Sequence, residues 1–191
     1  MTTTTTAKAG RMRSTADAQR SRILEASLGG FAHKGYHATP VTEIAELAGV
    51  SPAYVFRLFP GKLGLFVATI DHCYERVTEA LVAGGEKVGD APSDKVLDAM
   101  TEAYIDLIED RSLIMLQGHA QSACDIPEIR EAVQRGVGMV VENVARVSGA
   151  EPAAVQYFLA FGQLCHLIVQ AELTGVPAGW AETITAGIRH K

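Results

Sequence analysis

Apolar residues recur at spacings of three and four along most of this 191-residue chain. The stripe Phe66, Ile70, Cys73, Val77 and Leu81 keeps one face apolar for about five helical turns of ~3.6 residues each. No segment alternates polar and apolar residues as a half-buried strand would. The spacing therefore predicts an all-α fold, and a hydrophobic content of 48 % is enough for a sizeable core.

Start and stop signals divide the first third of the chain into three short helices. The first is expected to open at Ser14. Thr39-Pro40 and Ser51-Pro52 each place a capping residue before a proline, which is typical of a helix start. Pro60-Gly61 ends the third helix, and a long helix is expected from Lys62.

Charge is distributed unevenly along the chain. The net charge is −5, yet residues 1–62 hold eight Lys/Arg and four Asp/Glu, a net +4 that leaves −9 for the remainder. We expect a disordered basic arm over 1–13, a basic helical module over 14–62 and an acidic helical body over 63–191. A basic module favours a nucleic-acid partner, although an excess of four charges also arises by chance.

Residues 44–58 have the spacing of a helix-turn-helix. Ala45 supplies the small side chain needed where two helices cross steeply, and Gly49 tolerates the positive φ of the turn. Val50 and Val55 hold the second helix against the first. In a helix-turn-helix, that second helix enters the DNA major groove. A helical hairpin without a nucleic-acid role is the alternative reading.

The second helix of this motif carries the candidate DNA contacts. Tyr54 and Arg57 are three residues apart and should share a face. Arg57 suits a bidentate contact to guanine or a phosphate contact, and Tyr54 a thymine methyl or a phosphate. Ser51–Ala53 form a small, blunt start that lets the backbone approach the groove. Lys62, at the next helix start, would join free N–H groups as a phosphate site.

Three motifs occur together within residues 18–66: Phe31-Ala32-His33-Lys34-Gly35-Tyr36, Ile44-Ala45-Glu46-Leu47-Ala48-Gly49-Val50-Ser51 and Phe59-Pro60-Gly61-Lys62. In combination they resemble the N-terminal signature of the tetracycline-repressor (TetR) family. The resemblance implies a three-helix DNA-binding domain joined to a larger helical domain for ligand binding and dimerisation. It further implies a homodimeric, ligand-responsive transcriptional repressor that binds a double-stranded DNA operator. We expect a small apolar effector to release it from that DNA.

The chain departs from that signature at two expected phosphate contacts. Phe56 stands where the family commonly has a tyrosine that bonds a phosphate, and it lacks the hydroxyl. Thr39-Pro40 stands where many members have two threonines, so the contact is expected from Thr39 or Thr42.

The body offers weaker signals for the effector. The resemblance places candidate ligand contacts on the helices that line the cavity in similar proteins: Met100, Tyr104, Met115, His119 and Cys124. Methionine and aromatic side chains suit an adaptable apolar pocket, although each of the five also fits a core position. Residues 112–129 contain no Arg or Lys, so a strongly anionic ligand is less expected.

An uncharged segment runs from Pro152 to Ala171. It is long enough to span a bilayer at ~20 residues, but its three glutamines and His166 would be costly in lipid. We expect no membrane insertion and instead a two-fold dimer built on this helix and the last one. The candidate interface residues are Phe158, Phe161, Cys165, Ile168 and Trp180. A central helix of a monomer is the alternative.

Other function classes receive little support. The sequence shows no nucleophile elbow, phosphate-binding glycine loop or chelating pair, so no enzyme activity, cofactor or metal is expected. Cys73, Cys124 and Cys165 are far apart without a CxxC, which favours free thiols in a reducing cytoplasm. A helical carrier or adaptor for lipid-like molecules would explain the body but not Ala45, Gly49 and Lys62.

Overall fold

The computed structural model describes the backbone of residues 4–187 and the side chains of residues 16–187. Residues 1–3 of the expected arm and 188–191 of the expected body lie outside these ranges. Over the described residues the fold is all-helical without a β-strand, as predicted. The elements are α1 (Thr4–Ala38), α2 (Val41–Leu47), α3 (Pro52–Leu58), α4 (Gly61–Glu86), α5 (Ser93–Leu107), α6 (Arg111–Ser122), α7 (Pro127–Ser148), α8 (Pro152–Gln170), a 3₁₀ turn (Leu173–Gly175) and α9 (Gly179–Thr185).

The first helix is longer than predicted. It begins at Thr4, so residues 4–13, expected to be disordered, are helical, and Ser14 lies inside the helix instead of capping it. The segment contains alanine, lysine, methionine and arginine, which favour helix, and no proline that would stop it. Helix propensity therefore outweighs the capping signal at Ser14.

The expected stop at Gly35 is visible as a break in α1. Gly35 has φ 70° and ψ −177°, a combination that is open essentially to glycine alone. A Cβ at this position would also lie 2.8 Å from Nδ1 of His119, on α6. The chain therefore turns at Gly35 toward α2 while its backbone packs closely on the body.

The three N-terminal helices share one small core with the start of α4. The rings of Phe31 and Phe66 pack edge to face with centroids 4.7 Å apart. Ile44, Val55 and Leu65 are fully buried with them. Burial of side chains of this size stabilises the fold by ~1.5–3 kcal/mol each. The first turns of α4 thus belong to this core.

In the body, α4 packs along α5 and α7, and α1 packs along α6. Ionic contacts tie the outer surface of α4 to its neighbours. Glu25 of α1 accepts from Arg76 at 3.2 Å, and its other oxygen lies 2.7 Å from His72 Nε2. Arg135 of α7 donates to Asp71 at 3.0 Å. The α1–α4 pairing links the small N-terminal core to the body.

Candidate nucleic-acid interface and ligand cavity

The turn between α2 and α3 has the geometry that the sequence predicted. Ala45 is fully buried at the helix crossing. Gly49 has φ 64°, and the N–H of Val50 donates to the carbonyl of Ala45 at 2.9 Å. Val55 is fully buried against α2. The tight bend and the buried valine fix how far α3 projects from the domain.

The outward face of α3 consists of Ala53, Phe56 and Arg57, which are exposed. Phe56 is 51 % exposed, although a large aromatic side chain is more often covered by the rest of the protein. The guanidinium of Arg57 lies 4.4 Å from the ring centroid of Tyr54, so these two residues share a face as predicted. The stacked ring limits the conformations open to Arg57 and holds its donors at the surface.

Other predicted contacts surround this face. The hydroxyl of Ser51 accepts from the N–H of Tyr54 at 3.2 Å and caps α3. Ser51 is exposed and Pro52 is half-buried. Thr42, in the first turn of α2, is also exposed. The hydroxyls of Ser51 and Thr42 are accessible to a phosphate beside α3.

The prediction for the Thr39 side chain is wrong. Thr39 is 0 % exposed, and its hydroxyl donates to the carbonyl of Gly35 at 2.7 Å. Pro40 occupies the N-cap of α2, without a side-chain hydrogen bond. Thr39 closes the break after α1 because its hydroxyl satisfies a buried carbonyl there, and it cannot reach a phosphate in this conformation.

Lys62 also differs from expectation. Its ammonium donates to the carbonyl of His37 at 3.0 Å and lies 5.1 Å from the ring centroid of Tyr36. Burial lowers the pKa of Lys62 from its usual value. The side chain joins the end of α1 to the start of α4 instead of clustering with free N–H groups. Its remaining N–H donors are available to a phosphate.

Sequence reasoning missed two arginines of α1 that brace this module. Arg22 donates through Nε to the carbonyl of Ala48 at 3.1 Å, at the end of α2. Arg20 lies 4.4 Å from the ring centroid of Phe59 and donates to the carbonyl of Leu58 at 3.3 Å. Both place cations at helix C-termini, where the dipole favours positive charge. The sequence offered no signal for these contacts, because the accepting carbonyls lie 26 and 38 residues away from the two arginines.

A cavity of about 260 Å³ lies in the body between α4, α5, α6, α7 and α8. Most of its lining is apolar, and Thr101, three glutamines, two tyrosines and His166 supply its polar groups. Among the described residues, none that lines the cavity is Asp, Glu, Lys or Arg. The cavity thus offers hydrogen bonds without a formal charge.

A buried polar pair lies in the cavity wall. The hydroxyl of Tyr104 is hydrogen-bonded to Nε2 of His166. Burial lowers the pKa of His166 to about 4 and raises the pKa of Tyr104 from its usual value. Both side chains are therefore neutral at physiological pH.

Of the five predicted ligand residues, Tyr104 lines the cavity and the other four do not. Met100 is fully buried in the core, and Met115 packs partly buried against it. The ring of His119 lies against Gly35, and Cys124 Sγ is hydrogen-bonded to the carbonyl of Ala120 at 3.4 Å. His119 thus faces α1, and Cys124 faces the backbone of α6.

The predicted interface residues divide between the inside and the surface of the protomer. Cys165 and Ile168 are each 1 % exposed, so their assignment to a subunit surface is wrong. They lie on the face of α8 that packs on the body. Phe158 is half-buried and lines the cavity together with the partly exposed Phe161. Trp180 is 60 % exposed.

A different stripe of α8 is open. Tyr157 and Leu167 are 79 % and 49 % exposed. Ala153 lies one turn before Tyr157, and Ala160 and the half-buried Leu164 lie between Tyr157 and Leu167, so that the stripe continues at spacings of three and four. Among the described residues, α8 is the one unbroken helix that is long and apolar enough to cross a membrane. Only 22 % of its most apolar 18-residue segment is buried in the protomer. The helix therefore presents an apolar face that the protomer leaves uncovered.

The thiols of Cys73, Cys124 and Cys165 are all free. Burial raises the pKa of the Cys73 thiol to about 12. Among the described residues, no three His, Cys, Asp or Glu side chains are grouped as metal ligands would be.

Comparison with known proteins agrees with this architecture. Residues 23–69 match the family model of bacterial regulatory proteins, tetR family. The HTH-type transcriptional activator FasR of Mycolicibacterium smegmatis is 30 % identical over 141 residues, 71 % of this chain and 63 % of FasR. The matches to three curated relatives span 50 to 63 % of their lengths.

Solved structures share the fold across both parts of the chain. A TetR family regulator from Marinobacter aquaeolei superposes with a TM-score of 0.66 at 22 % identity, covering 90 % of this chain and 94 % of that one. FadR from Bacillus subtilis, solved with stearoyl-CoA, gives 0.68 at 17 % identity, covering 88 % and 99 %. The relatives are transcriptional regulators, and residues 23–69 of this chain, which contain the helix-turn-helix, match the tetR family.

Proposed function

We propose that this chain is a sequence-specific DNA-binding transcriptional regulator that a small apolar effector controls. The observation that carries the proposal is the outward face of α3. Its exposed Phe56 and Arg57 stand on a helix that buried Val55 and the Gly49 turn hold rigidly. A short helix held clear of its domain in this way fits the major groove.

The residues around α3 have separate roles in this proposal. Arg57, stacked on Tyr54, reads a guanine edge or bonds a phosphate. Ser51, Thr42 and the remaining donors of Lys62 bond phosphates beside the reading helix. Contacts of this kind position the protein without reading sequence.

Two copies are needed to bind DNA tightly. Reading helices must lie about 34–36 Å apart, or a multiple of this, to meet successive major grooves. We propose that the stripe along α8, from Ala153 through Tyr157 and Leu164 to Leu167, forms a two-fold interface to which the exposed Trp180 of α9 also contributes. A second copy would cover the face that one protomer leaves exposed.

Helix α4 supplies the route from effector to DNA. Its start lies in the N-terminal core, where Phe66 packs on Phe31. Its later turns line the cavity through Tyr74, Val77 and Leu81. An effector that favours a tilted α4 therefore changes the spacing of the two reading helices, and by linkage DNA disfavours that effector.

We propose that DNA binding represses transcription and that the effector relieves it. The relative FasR carries the name of an activator, so a reporter gene placed behind the bound sequence decides the direction. We place the protein in the cytoplasm, where its three free thiols would remain reduced.

A band shift with the DNA upstream of the gene tests the proposal. Arg57→Ala should weaken specific binding by about 1–3 kcal/mol and relax the preference for the bound sequence over scrambled DNA. Arg146→Ala is the matched control, because Arg146 is exposed on α7 and bonds Asn143 of its own helix. If the purified chain shows no sequence preference, the carrier alternative gains and the proposal is wrong.

The interface has its own test by sedimentation velocity. Leu167→Arg places a charge in the apolar stripe and should convert dimer to monomer without unfolding. Val88→Arg, at another exposed apolar position, should leave the dimer intact. Wild-type protein that is monomeric at micromolar concentration would remove the dimer from the proposal.

A further inference from the structure

The described residues that line the cavity include polar side chains but no formally charged one. Its polar groups are amides, hydroxyls and one buried imidazole, and burial favours the neutral forms of both Tyr104 and His166. A ligand carboxylate or phosphate placed there would lose its hydration without gaining a cation. The same burial cost would apply to an ammonium group.

The surroundings of the cavity do not supply the missing cation. A shallow groove outside it shares Thr101 and Phe158 with the cavity wall and is also lined by Asp94 and Asp98. Lys95 pairs with these two acids at 3.9 and 3.0 Å. An anionic group that projected outward would therefore meet carboxylates of its own sign.

The polar pair can accommodate one uncharged hydrogen-bonding group. The Tyr104 hydroxyl can turn from His166 Nε2 to donate to a ligand carbonyl. Gln117 donates through Nε2 to the carbonyl of Leu113 at 3.4 Å, which leaves its amide oxygen able to accept from a ligand hydroxyl. Val77, Leu81 and Leu159 provide apolar surface for the rest of the molecule.

We infer that the effector is a small, uncharged, largely apolar molecule whose single carbonyl or hydroxyl group binds at the Tyr104–His166 pair. The inference rests on the proposed function, since it names the ligand class of the proposed effector site. A cavity of about 260 Å³ is slightly smaller than the usual range of ligand pockets, ~300–1,000 Å³, so the molecule must be small. Long acyl-CoA molecules, such as the one in the FadR structure, do not fit this description.

Displacement of the neutral dye N-phenyl-1-naphthylamine from the full-length protein at pH 7.5 tests the inference. The competitors share one skeleton and differ in the polar group: butylbenzene, 4-phenyl-1-butanol, 4-phenyl-2-butanone, 4-phenylbutyrate and 4-phenylbutylamine. The alcohol and the ketone should bind at least tenfold more tightly than the carboxylate and the ammonium. Equal or tighter binding of either ion would overturn the inference, as would a cavity that takes up none of the probes.

Two variants separate recognition of the polar group from packing. Tyr104→Phe keeps the ring and should weaken the ketone about three- to tenfold, the effect of one uncharged hydrogen bond, while butylbenzene binding changes less than about twofold. Tyr36→Phe, in the N-terminal core, should change neither. If Tyr104→Phe weakens the binding of the ketone and of butylbenzene equally, the Tyr104 hydroxyl contributes to packing and does not hydrogen-bond the ligand.

The band shift on the same preparations distinguishes the two proposals. Sequence-specific DNA binding without selectivity among the probes refutes this inference and leaves the proposed function intact. Selectivity for neutral probes without DNA binding refutes the regulator and leaves the ligand class of the cavity standing.

Discussion

Replacing Gly35 with alanine tests the break between α1 and α2. At φ 70° and ψ −177°, an L-residue is strained by ~1–3 kcal/mol. The new Cβ would also lie 2.8 Å from Nδ1 of His119, so the ring must shift. We expect the free energy of unfolding to fall by about 2–4 kcal/mol.

The same helix provides a matched control. Gly29 is exposed in α1, and a Cβ there meets nothing within 4 Å. Gly29→Ala should therefore stabilise the protein by about 0.5–1 kcal/mol, because alanine loses less backbone entropy on entering a helix. The same Gly→Ala substitution should therefore destabilise the protein at position 35 and stabilise it at position 29.

Urea unfolding at fixed protein concentration measures both changes, and a loss of 3 kcal/mol corresponds to roughly 6–12 °C in Tm for a chain of this size. A double-mutant cycle with His119→Ala separates the two causes: the ring contact should couple the sites by about 1 kcal/mol, while the backbone strain remains. If the free energy of unfolding of Gly35→Ala lies within 0.5 kcal/mol of the wild-type value, position 35 does not require glycine and the reasoning is wrong.

The remaining predictions concern pH and thiol chemistry. The folded pKa of His166 is about 4 against 6.5 for a free histidine, so the unfolded chain takes up the proton first. The stabilisation that neutral His166 provides is complete above pH 6.5 and is lost as pH falls toward 4, by about 2 kcal/mol between pH 7 and 5. Urea titrations should show this loss in the free energy of unfolding of the wild type and not in that of His166→Gln. An equal dependence on pH in the two proteins would contradict the prediction. Native protein should react with a thiol reagent first at the half-buried Cys124, because Cys73 and Cys165 are buried, and faster labelling of Cys73 by mass spectrometry would contradict the burial.

The helix-turn-helix could be predicted because its constraints are local. Ala45, Gly49 and Val55 lie within a few residues of the contacts they make, so their type and spacing determine the geometry. The Tyr54–Arg57 pair follows from helical periodicity alone.

The errors concern groups whose partners depend on tertiary packing or on a local break in a helix. Lys62 looked free because its partner, the carbonyl of His37, lies 25 residues away. Thr39 bonds a carbonyl only four residues away, but that contact depends on the non-helical backbone at Gly35. On α8, sequence shows which residues are apolar but not which face meets the protomer itself. Cys165 and Ile168 therefore could not be separated from Tyr157 and Leu167 without the packing of α5 and α6 against α8.

The exposed ion pairs along α4 give the protein a second response to ionic strength. Arg76 pairs with Glu25 across the junction of α1 and α4, and such an exposed pair contributes ~0–1 kcal/mol and weakens as salt screens it. Added salt would loosen that junction while it also displaces the protein from phosphates. Plots of log affinity against log salt should then fall more steeply than the phosphate contacts alone require, and Glu25→Gln should make the slope shallower.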